Sequence, residues 1–352
     1  MITISLCMIV RDEEAVLGRC LASIADGVDE IIIADTGSED RTKEIAKSFG
    51  AKIYDFPWIN DFAAARNFSF SKATMDYILW LDADDLIPAE SLKKLLELKK
   101  TLPSHADMVM MEYRMGPLED ENALRFYRER LLRREGGFRW EGAVHEVIAP
   151  KGSILYSPII ICHQKEKPRD SLRNLRIYEG KLAKGCKFTP REQYYFGREL
   201  MEHQRFSEAV AAFEKALEQN LWIEDRLEAI RLIAECKRAQ GDPDGALQML
   251  LSALFYGAPR GELCCAIGDL FLEREENDAA AFWFRSAMEC PISHEGFILK
   301  DRYGLYPALQ LCFCAWKKGR AEEAEQWNER AAQYAPKDPR VQYNREFFAS
   351  IK

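Results

Sequence analysis

This 352-residue chain lacks a basic excess, a metal-type cysteine pattern and any long apolar run. Arg and Lys number 49 against 57 acidic residues, a net charge of −8. That balance excludes a protein holding nucleic acid or an anionic membrane by charge alone. No apolar run approaches the ~18 residues of a membrane-spanning helix. The N-terminal stretch MITISLCMIVRDEE turns acidic after a short apolar run and has neither a basic leader nor a small-residue cleavage site. It reads as a first strand rather than a secretory signal. The ten cysteines contain no C-x-x-C, and Cys312 and Cys314 stand too close for a zinc pair. Reduced core cysteines in a cytoplasmic protein are therefore expected. Neither G-x-G-x-x-G after the first strand nor G-x-x-x-x-G-K occurs, so the glycine-rich phosphate loops are excluded. A phosphate would have to be held by a metal together with Arg or Lys.

What is present centres on residues 77–88, YILWLDADDLIP. The apolar run Tyr77 to Leu81 predicts a buried parallel strand, and ligands bind beyond the carboxyl ends of such strands. Asp82, Asp84 and Asp85 lie within four residues there and repel one another. A cation resolves the repulsion, because carboxylate and phosphate oxygens are the hard ligands of Mg²⁺ and Mn²⁺. The plain alternative is a solvated acidic turn before a helix starting near Ala89.

Upstream, strands are predicted over 2–10, 30–34 and 51–54. They alternate with a helix carrying Val16, Leu17, Cys20, Leu21 and Ile24 on one face, a helix ending at Gly50, and a helix over 61–72 that carries Arg66 and Asn67. Short strand–helix–strand connections imply right-handed crossovers and a mostly parallel, Rossmann-like α/β sheet. Asp12, Asp35 and Asp82 all fall at its ligand-binding edge. Downstream come a strand over 108–115, a loop over 117–122, and a basic stretch with Arg125, Arg128, Arg130, Arg133 and Arg134. That stretch is either a solvated face or a site for an anion. The segment FRWEGAVHE follows, then an apolar strand over 157–162 that ends at His163.

The succession CMIVRDEE, DEIIIADTGSEDRT, DFAAARNFS and YILWLDADD resembles family 2 glycosyltransferases of GT-A fold, over roughly the first 165 residues. The resemblance implies transfer of a sugar from a nucleotide-sugar donor, a UDP-sugar first among them, with inversion at the anomeric carbon and with Mn²⁺ or Mg²⁺ as cofactor. It places Val10, Arg11, Glu13, Asp35, Arg66, Asp82 and Ala83 around the donor. Asp35 would meet the base edge, Arg66 the base or diphosphate, and Asp82 the ribose. Asp84 would bind the metal, with Asp85 behind it. Arg11-Asp12 stands where many relatives have Tyr-Asn, which weakens base stacking at Arg11. A W-x-G-x-V-H-E pattern recurs in a subset of the family, and an inverting reaction needs a carboxylate to take the acceptor proton. Glu146 is the first candidate, then Glu141, with His145 beside them. His163 is the candidate third metal ligand, and His145 its competitor. Each of these residues also has a structural alternative: a turn Asp at 35, a surface helix Arg at 66, a structural Trp-Glu turn at 140–141, a satisfied His at 145 or 163.

From about Ser171 the pattern is helical only. Ala209, Ala246, Ala280 and Ala324 recur at spacings of 37, 34 and 44, each followed seven residues on by another Ala. Phe213, Leu250 and Phe284 lie four residues after the first three, and Gly197, Ala234, Gly268 and Cys312 lie twelve before each. This resembles tetratricopeptide repeats over roughly 190–336, with an insertion near 292–301. The expected organisation is a catalytic domain over 1–168, a helical linker over 169–189 and a repeat domain over 190–352. Tyr194, Tyr195, Phe206, Phe282, Trp283, Trp316 and Trp327 read as repeat core. The whole resembles, in architecture, enzymes that glycosylate cysteine or serine of bacteriocin peptides. Expected partners are a peptide, protein or glycan acceptor and a second copy of the chain, with no nucleic acid. A surface-glycan transferase, a nucleotidyltransferase and a non-catalytic repeat adaptor with a decayed transferase domain are the competing readings.

Overall fold

The computed structural model describes residues 1–116, 124–164, 170–292 and 298–351. The loop expected over 117–122, the polar stretch from Lys165 to Arg169, and the middle of the expected 292–301 insertion lie outside them. The chain divides into two compact units, Met1–Gly185 and Cys186–Lys352.

The first unit begins β1 (Ile4–Val10), α1 (Leu17–Ile24), β2 (Glu30–Asp35), α2 (Thr42–Ser48), β3 (Lys52–Asp55), α3 (Phe62–Phe70) and β4 (Tyr77–Trp80). It continues β5 (Asp85–Leu86), α4 (Ala89–Thr101), β6 (Met108–Met115), β7 (Leu124–Arg133), β8 (Trp140–Glu141), β9 (Val147–Ile148), β10 (Ile154–His163) and α5 (Arg173–Ala183). Eight strands form one sheet in the order β3-β2-β1-β4-β7-β6-β10-β5, and β8 pairs β9 separately. β1 is parallel to β2 and β4, β2 to β3, and β6 to β10. The fold is thus the mostly parallel GT-A type that the sequence predicts. β7 is the departure: it is an inner strand, antiparallel to β4 and to β6. The basic stretch is therefore not a solvated face throughout, since Glu129, Arg130, Leu131 and Leu132 are all buried.

Side-chain alternation splits the core. Leu6 and Met8 of β1, Ile33 of β2 and Leu79 of β4 pack on the α1 side with Leu17, Cys20 and Leu21. Cys7, Ile32, Ile78 and Trp80 point the other way, toward Ala63 and Phe70 of α3 and toward Trp140. This period of two is what a sheet covered on both faces demands. Asp61 caps α3, its side chain accepting from Ala64 N at 2.8 Å. β10 starts earlier than the sequence suggests and shifts register between Ser157 and Ile160, which accommodates Pro158, a residue with no amide proton for the ladder. At the edge of the sheet remote from the strand carboxyl ends, buried Glu30 accepts from Ser5 Oγ (2.6 Å), Lys52 Nζ (2.7 Å) and Thr74 N (2.9 Å). Burial pushes its pKa up, but the bonds from Lys52, Ser5 and Thr74 outweigh that and hold it at about 2.

The second unit contains α6 (Pro190–Glu202), α7 (Phe206–Leu217), α8 (Ile223–Ala239), α9 (Pro243–Ser252), α10 (Gly261–Glu273), α11 (Asn277–Glu289), α12 (Leu305–Lys317), α13 (Ala321–Tyr334) and α14 (Pro339–Ser350). They pack as consecutive antiparallel hairpins, as a tetratricopeptide-type solenoid does. A Cβ added at Gly197 would stand 2.7 Å from the Phe213 ring, and one at Gly268 would stand 2.8 Å from the Phe284 ring. The small/large register therefore lets paired helices approach. Of the aromatics assigned to this core, Tyr194 and Tyr195 are buried, but Phe282 is 61% exposed and Trp316 39%. Phe282 points off the hairpin seam because it follows the buried pair Ala280-Ala281 by one helical step, outside the apolar stripe, whereas Trp316 packs its ring edge-on against Phe347 and Phe348 of α14. All ten cysteines are unbridged, and Cys186 is exposed. Among the described residues no helix is long and apolar enough to cross a membrane.

Two outcomes follow from this packing. Glu30→Gln should lower the unfolding free energy at pH 7 by up to about 3 kcal/mol, measured by urea denaturation. Because the folded-state pKa is depressed from 4.5 to about 2, the difference from wild type should be complete above pH 4.5 and vanish as the pH falls toward 2. Gly268→Ala should cost about 1–3 kcal/mol through overpacking against Phe284, visible as a lower melting temperature.

Candidate active site

The carboxyl ends of β1, β2 and β4 converge on one edge. The loops after β1 and β2 are tied together: Asp12 N donates to Ser38 Oγ (3.0 Å), Glu39 N to Asp12 Oδ1 (2.7 Å) and Glu13 N to Thr42 Oγ1 (2.7 Å). Asp12 holds a left-handed backbone, φ 53°, to make these bonds. Val10 is buried at the end of β1 and its carbonyl accepts from Thr36 N, while Arg11 is exposed. Asp35 is 1% exposed; its Oδ1 accepts from Gly37 N (3.0 Å) and Ser38 N (2.9 Å), with Lys43 Nζ at 3.5 Å. Burial alone would raise its pKa; the Ser38 and Gly37 bonds and Lys43 lower it instead. Its Oδ2 is buried without a hydrogen-bond partner.

Arg66 of α3 is the hub of the site. Its Nη2 donates to Asp82 Oδ1 at 2.7 Å and its Nε to Glu146 Oε1 at 2.7 Å. The guanidinium lies 5.1 Å from the Trp80 ring and 4.8 Å from the Trp140 ring. Asn67, the next residue, pairs with the Trp140 backbone in both directions at 2.9 Å, which fixes the 140–146 segment to α3. Burial would raise the pKa of Asp82, but Arg66 first and Arg130 next hold it at about 2.

Beyond Asp82, Ala83 is buried in the core. Asp84 and Asp85 meet His163 at the end of β10, because β5 pairs antiparallel with β10 through His163↔Asp85. His163 Nδ1 stands 3.3 Å from Asp84 Oδ1 and 3.5 Å from Asp85 Oδ1. These are ion-pair distances and not well-aligned hydrogen bonds. Asp84 and Asp85 push the His163 pKa up to about 10 against the effect of burial. The three ligand atoms lie within 4.8 Å of one another. Once a cation displaces the His163 proton, the imidazole nitrogen and the two carboxylates form a donor set that fits Mn²⁺ or Mg²⁺.

The structure thus gathers Arg66, Asp82 and Glu146 in one network and Asp84, Asp85 and His163 in another. His145 lies outside the acidic cluster, with φ 52°, and Glu141 is exposed on β8. Two buried contributors escape the sequence reading. Tyr113 OH donates to Asp85 Oδ1 at 2.8 Å, and Arg130 Nη1 to Asp85 Oδ2 at 2.9 Å. The available signal was a charged residue abutting the apolar pair Leu131-Leu132.

Removing Arg66 strands two half-buried carboxylates, Asp82 and Glu146. Arg66→Met should cost about 1.5–3 kcal/mol in unfolding free energy. Arg66→Lys should recover only part of it, since one ammonium has no planar fork to serve Asp82 and Glu146 together. Tryptophan fluorescence on denaturation, with Trp80 and Trp140 beside the guanidinium, reads both variants.

The Glycosyl transferase family 2 profile matches residues 5–159. A TPR repeat-containing protein of Synechococcus elongatus is 31% identical over 300 residues, 83% of this chain and 67% of that protein. The SPbeta prophage-derived glycosyltransferase SunS of Bacillus subtilis is 28% identical over 235 residues, 61% of this chain and 53% of that one. An uncharacterized glycosyltransferase of Rickettsia typhi is 36% identical over 87 residues, 25% of this chain and 30% of that one. The chain thus spans about two thirds of the first relative and about half of the second. The matched span contains β1 to β9 with the acidic loop, and the hairpin helices lie beyond it: the chain belongs to the glycosyltransferases of family 2, its transferase domain followed by a tetratricopeptide-type helical region.

Proposed function

We propose that the chain is a divalent-metal-dependent, inverting glycosyltransferase that takes its sugar from a nucleoside-diphosphate sugar, a UDP-sugar first among them. The observation that carries this reading is the convergence of Asp84 and His163 from two strand ends beside an Asp82 already held by Arg66. Asp35 supports it: a buried carboxylate with one unmet oxygen suits the N–H edge of a uracil base. Arg11 and Glu13 line the same edge, Asp82 takes the ribose, and Val10 and Ala83, their side chains turned into the core, offer the donor only their backbone. Asp84 and His163 hold the cation, with Asp85 behind them. When bound, that Mn²⁺ or Mg²⁺ offsets the charge that builds on the departing diphosphate.

The chain's own residues do the rest. An acceptor hydroxyl or thiol attacks the anomeric carbon as the bond from that carbon to the diphosphate oxygen breaks, and the electron pair leaves with the nucleoside diphosphate. The acceptor proton goes to Glu146, whose Oε1 is engaged by Arg66 and whose Oε2 is the oxygen left for it. His145 precedes it in the same turn. Glu141, exposed on β8, is the second candidate base. Residues 1–168 form the catalytic domain, 169–189 the link, and 190–352 the repeats that present a peptide or protein side chain, in the cytoplasm.

Slow hydrolysis of a nucleotide-sugar panel by the full chain with Mn²⁺ tests the reading. Metal-dependent release of nucleoside diphosphate from one donor is expected. Asp84→Ala should reduce it about a hundredfold or more with an unchanged melting temperature. Unchanged release in that variant would sink the metal assignment. No release from any donor, and no thermal shift with nucleoside diphosphate plus Mn²⁺, would favour the adaptor reading.

A further inference from the structure

Arg130 has no place in the mechanism above, yet it is fully buried beneath the acidic loop. Its position comes from an irregularity in β7. On β6, Val109 faces Leu131 and Met110 faces Glu129, so Arg130 is an extra residue, a β-bulge. Pairing with β4 ends at Leu79↔Leu131. Bulges re-aim a side chain out of the regular alternation and occur beside active sites. Here Arg130 Nη1 caps the end of β4, donating to Trp80 O at 3.1 Å, and donates to Asp85 Oδ2 at 2.9 Å. Both side chains of that ion pair are 0% exposed. The guanidinium lies 3.7 Å from the Trp80 ring and 4.4 Å from the Tyr113 ring. Its Nε and Nη2 are buried without hydrogen-bond partners. An arginine so placed is costly, and hydrophobic residues of similar volume would serve packing better. Its charge is what the position uses.

The three loop carboxylates are then met differently. Asp82 is paired with Arg66 and Asp85 with Arg130, while Asp84 faces His163. Asp85 is further committed: it accepts from Asp82 N at 3.0 Å and from Tyr113 OH at 2.8 Å.

We infer that Arg130 is the positioning residue that sets the cation affinity of this loop. By holding Asp85 in a closed ion pair, it leaves Asp84 and His163 to take the cation. Affinity for the free ion therefore stays low until diphosphate oxygens complete its shell, the manner in which Mg²⁺ is usually held by one or two carboxylates plus substrate phosphates. The inference rests on the metal-site reading proposed above.

Mn²⁺ binding to the full chain, by calorimetry or electron paramagnetic resonance, tests it in the presence and absence of UDP. Wild type should bind Mn²⁺ weakly alone and more tightly with UDP. Arg130→Met frees one negative charge beside the cation and should tighten binding of Mn²⁺ alone by about tenfold or more. The double variant Asp85→Asn with Arg130→Met removes both buried charges, leaves the net charge unchanged and should bind Mn²⁺ as wild type does. A folded Arg130→Met chain with unchanged or weaker Mn²⁺ binding overturns the inference. So does a double variant weakened about tenfold, because Asp85 would then be a ligand in its own right. If Arg130→Met does not fold, Asp85→Asn replaces it: the unmatched Arg130 charge should weaken Mn²⁺ binding about tenfold, the double variant should restore it, and unchanged binding in Asp85→Asn overturns the inference. Absence of Mn²⁺ binding to wild type with and without UDP overturns the metal reading itself, whereas wild-type binding with unaltered variants removes only the role of Arg130.

Discussion

Three carboxylates within four residues is the constraint around which the first unit is arranged. At the end of a buried strand their mutual repulsion is not screened as it would be in bulk water. The fold answers with charges from elements far apart in sequence. Arg66 comes from α3, Arg130 from the bulge of β7, and His163 from the end of β10. The loop is held in shape by protein charges alone at Asp82 and Asp85, and Asp84 is left toward the imidazole.

Arg66 also joins two segments of the first unit. One guanidinium spans Asp82 on the loop after β4 and Glu146 on the segment after β8. Trp80 and Trp140 flank it, and their rings pack edge to face at 4.7 Å. A planar fork beside two aromatic rings has little freedom, so the Asp82 and Glu146 carboxylates keep a fixed separation. Asn67 reinforces this by pairing with the Trp140 backbone as a neighbouring strand would.

The helical unit obeys a different rule. Its stability comes from repeated close approach of paired helices, with glycine or alanine opposite a large side chain. Its charged groups are mostly paired within or between neighbouring helices, as Arg231 is with Glu228 and Glu235 and Arg260 is with Glu224. Among its described residues no group of acids and histidines brings three ligand atoms together as Asp84, Asp85 and His163 do.

Much of this was legible in sequence because the signals are local. Period-two and period-3.6 patterns placed β1, α1, β2 and β4, since burial of one face or two dictates them directly. The Ala/Phe/Gly register announced the helical repeats because each repeat makes the same contact. Asp35, Arg66, Asp82 and Asp84 stood out through ordered motifs, and the position of His163 at a strand end was visible as well. What the sequence did not decide was pairing across distance. β7 read as a basic stretch because its charged residues hide an inner strand, and only the sheet shows that Arg130 is a bulge aimed at Asp85. Glu146 stood out in sequence as the first candidate base, but its pairing with Arg66, eighty positions away in the chain, came only from the fold. The choice of His163 over His145 beside Asp84 followed from the β5–β10 pairing. Composition and periodicity fix which residues are buried; which buried charge meets which is settled only when the strands take their register, because Coulomb energy depends on distance in space and not along the chain.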